Sequence, residues 1–190
     1  MEKIILVIPD KKYEGKAKEY IQEFLNNNSQ IHGVGELDES IDNYDMWLKR
    51  VDDYSNGRNL KEGHVSANTY FAVSEDTDKL IGMIDIRHKL NDYLLKEGGH
   101  IGYCVRPSER KKGYATKILY LGLEKCAELG IDKVLITCDK SNIGSAKTIQ
   151  NNFGILENEI QCSDLKELLQ RYWIDVNYAL ENIRKNSKKI

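Results

Sequence analysis

The chain has 190 residues, 28 Lys+Arg against 30 Asp+Glu, and a formal charge of −2 with neutral histidines. Its 41% hydrophobic content and two prolines fit one domain spanning residues 1–190, with a core of its own, and exclude disordered and collagen-like chains. No apolar run approaches the roughly 20 residues a bilayer span needs, the opening residues do not read as a secretory leader, and near-neutrality argues against a general nucleic-acid binder.

Ile4-Ile5-Leu6-Val7-Ile8, stopped by Pro9, reads as a strand buried on both faces. Ala17, Ile21, Phe24 and Leu25 form one stripe of a helix over 14–25, which Asn26-Asn27-Asn28-Ser29 ends. Residues 31–42 are loop-like and acidic. Asp42 or Asn43 is placed to cap a second helix from Tyr44 to about Tyr54. From Thr69 the texture changes to strands: 69–74, a turn, 80–87, a polar connection to Gly98-Gly99, then 100–106 halted by Pro107. Apolar or small residues at 115, 118, 119, 122, 123, 126 and 127 mark one face of a helix that Gly130 stops. Val134–Cys138 is a strand again, so strand, helix and strand make a βαβ unit. A short helix over 143–152 follows, then strands near 155–161 and 170–179, and a polar, basic tail from Glu181 that reads as frayed.

The cysteines at 104, 126, 138 and 162 form no Cys-x-x-Cys clip, and no histidine stands at zinc spacing, so no metal is expected. Three lie in apolar stretches and read as buried reduced thiols, which suits a cytoplasmic protein.

The loop Arg106-Pro107-Ser108-Glu109-Arg110-Lys111-Lys112-Gly113-Tyr114-Ala115 joins a strand to a helix N-terminus. Unpartnered amides and partial positive charge there attract phosphate. Gly113 removes the Cβ where an anion would approach, and Ala115 keeps the first turn slim. The loop is neither a Walker loop nor a Gly-x-Gly-x-x-Gly fingerprint.

The segment 105–116 resembles the acetyl-CoA loop of the GNAT acetyltransferase superfamily, Arg/Gln-x-x-Gly-x-Gly/Ala, with Arg110, Gly113 and Ala115 in place. Asn142, Ser145 and Lys147 resemble the family's second cofactor segment. The element order over 69–179 also fits, and 4–60 fits more loosely. The phrases around 101–119 and 135–150 look like an uncharacterised bacterial subgroup. The resemblance implies an α/β (α+β) fold: a mixed, mostly antiparallel sheet of about seven strands, flanking helices and one βαβ unit. It implies an N-acetyltransferase that moves acetyl from acetyl-CoA to a small-molecule or peptide amine, as a monomer or a homodimer, the alternative being a non-catalytic acyl-CoA-binding module. Main-chain groups of Cys104 and Val105 would meet the pantetheine arm and amides of Lys111, Lys112, Gly113, Tyr114, Ala115 and Thr116 the pyrophosphate, while Asn142 would hydrogen-bond the arm or line its exit, with Ser145 in the same cofactor segment. The tyrosine that many members carry seven residues after the asparagine is Ile149 here.

For the proton that an ammonium must lose, His100 opens the strand beside the thioester and is the first choice, with Glu97 as rival; a structural, hydrogen-bonded His100 is the other reading. The cluster Glu36, Asp38, Glu39, Asp42 and Asp45 reads either as a seat for a cationic amine or as solvated, helix-capping charge. Trp47 and Trp173 read as core anchors.

Overall fold

The computed structural model describes residues 2–162 and 167–187. The chain runs β1 (Ile4–Val7), α1 (Glu14–Asn26), α2 (Leu37–Ser40), α3 (Tyr44–Ser55), β2 (Ala67–Ser74), β3 (Leu80–Arg87), a π-helical turn (Leu94–Gly98), β4 (Ile101–Val105), α4 (Tyr114–Glu128), β5 (Lys133–Asp139), α5 (Ile143–Asn151), β6 (Ile155–Gln161), β7 (Leu168–Asp175) and α6 (Val176–Ser187). The described strands form two antiparallel sheets, in the orders β1-β2-β3-β4 and β5-β7-β6. This is the mixed α/β arrangement the sequence implies.

Strand alternation divides the core. One face of the first sheet sends Phe71, Val73, Met83 and Cys104 against Tyr20 and Phe24 of α1 and Trp47 of α3. The other sends Tyr70, Ala72, Ile84, Ile86 and Ile101 against Ile118, Leu119 and Leu123 of α4. Removing each large apolar side chain from water contributes about 1.5–3 kcal/mol. Gly122 matters because a Cβ there would strike the Ile84 side chain; its absence lets α4 lie close to the sheet. Gly130 ends the helix in the left-handed region, φ +72°.

Four local readings are corrected. β1 is an edge strand paired only with β2 among the described residues, and Ile5 and Ile8 are exposed, so it is not buried on both faces. The last strand stops at Asp175, whose carboxylate caps the Tyr178 amide at 2.9 Å. The chain then continues as α6, with Val176, Ala179 and Leu180 buried, where a strand to 179 and a frayed tail are expected. Trp47 is fully buried and donates Nε1–H to the Gly35 carbonyl at 2.8 Å, whereas Trp173 is only half-buried. Leu25, placed on the apolar stripe of the first helix, is 60% exposed; the buried stripe of α1 is Ala17, Tyr20, Ile21 and Phe24.

Candidate active site

The two sheets touch at one end and part at the other. The contact is His100: its amide donates to the Leu135 carbonyl at 2.7 Å, and its ring Nδ1 accepts the Leu135 amide at 3.0 Å. Gly99 (φ +66°) makes the approach possible, since a Cβ there would stand 2.7 Å from the Leu135 oxygen. Beyond this point β4 and β5 diverge around a cleft of about 860 Å³. Its walls include Tyr103, Cys104, Val105, Thr137, Cys138, Asn142, Ser145 and the α4 N-terminus.

Register decides which main-chain groups face the cleft. Arg106 N–H donates to the Ile81 carbonyl and Arg87 N–H to the His100 carbonyl. In the antiparallel ladder the hydrogen-bonded pairs are therefore 81/106, 83/104, 85/102 and 87/100. The Cys104 amide and carbonyl thus belong to β3, and the carbonyl also takes the Tyr20 hydroxyl at 3.2 Å. The expectation that Cys104 offers free backbone is corrected. Tyr103 and Val105 face the cleft instead. The Val105 carbonyl accepts from Arg110 Nε at 3.1 Å, which leaves its N–H as the outward donor. By the same phase on β5, Lys140 N–H to the Leu168 carbonyl, the backbones of Thr137 and Asp139 face the cleft.

At the wide end, Gly113 precedes α4 with φ +85° and Lys111 has φ +61°. The first amide of this turn to find an acceptor is that of Lys117, on the Gly113 carbonyl at 3.2 Å. Among the described residues, the amides of Lys111 to Thr116 donate to no protein acceptor. They form a cradle of N–H groups at a helix N-terminus, the arrangement that binds phosphate.

The basic side chains do less than their number suggests. Arg106 is locked to Glu23. Arg110 binds the Ser29 hydroxyl at 2.7 Å and lies over the Phe24 ring, fastening the loop to α1. Lys112 pairs its ammonium with Glu109 at 2.8 Å and does not line the cleft, so what it offers the cradle is its amide. Lys111, Gly113, Tyr114, Ala115 and Thr116 do line it. Asn142 caps α5 through the Ser145 amide at 3.0 Å, and the Ser145 hydroxyl meets the Tyr103 hydroxyl at 3.0 Å. Lys147 is exposed and lies outside the cleft.

The two candidate proton acceptors separate. A backbone N–H can only donate, so the Nδ1 that receives it on His100 carries no proton and is already engaged. Burial, helped by Arg87, lowers this imidazole to about 4, and His100 does not line the cleft. The geometry is that of the structural histidine. Glu97, on the helical turn before β4, lines the cleft; its carboxylate meets Lys96 at 2.8 Å and the Cys162 thiol at 2.7 Å. Cys104, Cys126 and Cys138 are buried and free, and burial pushes their thiols up to about 11, 12 and 11. Among the described residues no His/Cys/Asp/Glu group could hold a metal, and no helix is long and apolar enough to cross a membrane.

A second cavity of about 390 Å³ adjoins the cleft, and His32, Gly33, Arg87 and Tyr93 line both. Gly33 lies directly on the Gly102–Tyr103 peptide, where any Cβ would collide with backbone. The sequence did not reveal this cavity's buried carboxylate: Asp85 sits inside the apolar run of β3, receives the Thr69 hydroxyl at 2.8 Å and is 7% exposed. Of the acidic cluster, Glu36, Asp38 and Glu39 line the cavity, while Asp42 and Asp45 do not.

Residues 12–152, well over half of the chain, match the acetyltransferase (GNAT) domain family. The chain belongs to that family and is an acyltransferase of it. Among solved structures it resembles the microcin C7 self-immunity acetyltransferase MccE, in complex with acetyl-CoA and AMP (17% identity, 92% of this chain and 93% of that one, TM-score 0.64). It resembles mutant forms of the spermidine/spermine N-acetyltransferase SpeG of Vibrio cholerae (15%, 94% and 97%, 0.63). A third is the Salmonella typhimurium acetyltransferase that modifies the N-terminal serine of ribosomal protein L7/L12 (14%, 90% and 94%, 0.64). At such identities the likeness speaks for the fold. No curated protein matches the chain.

Proposed function

We propose that the protein is an acetyl-CoA-dependent N-acetyltransferase that acetylates a primary amine of a small molecule or peptide by direct transfer. The observation that carries this reading is the row of unpartnered amides at Lys111–Thr116, closing a cleft whose walls are exposed strand backbone. The pyrophosphate of acetyl-CoA would lie on those amides and its arm along Tyr103, Val105 and Thr137. Acetyl-CoA supplies an acetyl group already activated as a thioester. Val105 N–H is the donor for the oxygen on which charge develops, and holding both reactants in one cleft supplies much of the rate. Glu97 takes the proton from the incoming ammonium, the role that the hydrogen bond to Leu135 denies His100. The raised thiols of Cys104, Cys126 and Cys138 make poor nucleophiles and argue against an acetyl-cysteine. Three buried, unpaired thiols suit the reducing cytoplasm.

Thiol release from acetyl-CoA, followed across an amine panel, tests the reading. Turnover that Gly113→Leu removes is expected. Tight acetyl-CoA binding without turnover of any amine would instead make the protein an acyl-CoA-binding module.

A further inference from the structure

The second cavity contains a group that the fold alone does not explain. In the buried stretch of β2 and β3 the polar residues are Ser74, at the end of β2, and the pair Thr69 and Asp85, which face each other across the ladder. Burying a carboxylate is costly unless charge and hydrogen bonds compensate. Compensation here is partial. Among the described residues, Oδ1 receives the Thr69 hydroxyl, while Oδ2 has an ion pair with Arg87 Nε at 3.6 Å, beyond hydrogen-bond range, and His88 adds charge nearby. Arg87 is held elsewhere, its Nη1 bonded to the carbonyls of Gly98 and Gly99 at 3.0 and 3.2 Å. Asp85 lines the cavity, a space that opens beside the cleft. Burial raises its carboxyl, as expected of a carboxylate short of donors. Around it the cavity is lined by the carboxylates of Glu36, Asp38 and Glu39 against the guanidiniums of Arg50 and Arg87. Arg50 is already consumed by Glu36 and the Ser40 hydroxyl.

Resting on the N-acetyltransferase reading, we infer that this cavity seats the body of the acceptor and that Asp85 binds a second, non-reacting cationic group on it. The acceptor class is then an amine that carries another positive charge, a diamine or a chemically similar dication. One end reaches the cleft past Gly33, and the other pairs with Asp85 Oδ2.

Calorimetry on the full chain with simple probes tests this without requiring turnover. Wild-type protein should bind 1,4-diaminobutane about tenfold or more tightly than butylamine, the worth of one charge-assisted hydrogen bond. Its order of preference should be diamine, then 4-aminobutanol, then 4-aminobutanoate. Asp85→Asn, which keeps shape and the Thr69 contact, should erase the diamine's advantage and leave acetyl-CoA affinity and butylamine affinity within about twofold. Equal binding of diamine and butylamine, a diamine preference that survives Asp85→Asn, or a preference for the amino acid would overturn the inference. The wild-type ordering decides even if the variant does not fold. Acetylation assayed in parallel keeps the two readings apart: a chain that binds the diamine through Asp85 but acetylates no amine refutes the transferase and not the cation site.

Discussion

The cleft between the sheets and the second cavity share four wall residues but are made of different material. The cleft presents main chain: the amides of 111–116, the Val105 N–H and the outward backbone of β5. The cavity presents side chains, above all Asp85, Glu36 and Arg87. A backbone surface tolerates many sequences but fixes a few glycines, whereas a side-chain surface can be rewritten residue by residue. Binding in the cleft should therefore resist most side-chain changes, while chemistry and acceptor choice should not.

The largest departure is expected where a side chain performs chemistry inside the cleft. Glu97→Gln should lower kcat by roughly 100- to 10,000-fold, the usual worth of a positioned proton acceptor, with acetyl-CoA affinity nearly unchanged by calorimetry. An unaltered rate would remove Glu97 from the mechanism. His100 should act on stability instead. Its imidazole is lowered to about 4 in the folded chain against about 6.5 unfolded. The unfolded state therefore binds the extra proton first, and the contribution is complete above pH 6.5 and lost as pH falls toward 4, up to roughly 3 kcal/mol. Urea midpoints at pH 7 and pH 5 should show this fall, and His100→Gln should flatten it.

Within the backbone surface, one glycine should count for more than any cation. Gly113→Leu forces a branched side chain to φ +85°, a strain of about 1–2 kcal/mol, and covers the amides; acetyl-CoA should bind about 10- to 100-fold more weakly. Lys111→Ala, which removes a cleft-lining charge that has no side-chain partner among the described residues, should cost only about threefold, and less at high salt. If the lysine matters more than the glycine, the cleft is a charge site and not a backbone one.

This division also explains what the sequence disclosed. Arg110, Gly113 and Ala115 were legible because a backbone cradle needs a glycine and a small residue at fixed spacing. The purposes of the cations were not, because Glu23 and Glu109, which neutralise Arg106 and Lys112, must first be brought to them by folding. Cys104 was misplaced by a single step of strand phase, which only the pairing with β3 determines. His100 looked like a base because position along a strand says nothing about the Leu135 amide, 35 residues away. Asp85 carried no local signal at all: one acid in an apolar strand becomes meaningful once a cavity opens beside it. The segment from Val176 read as strand because Trp173 and Ile174 lead into it without a break, while the Asp175 cap acts through geometry.

The fastening of the two sheets at His100 and Leu135 has a mechanical consequence. Two stiff limbs joined at one end behave as tongs: a small rotation at the joint becomes a large change in gap at the far end, where the amide cradle lies. A molecule lying along both inner edges would stand in for the missing strand and brace the limbs against each other. The inner-edge amides of Thr137 and Asp139 would then be the sharpest reporters of occupancy, exchanging hydrogen freely while the tongs are empty and slowly once they are braced.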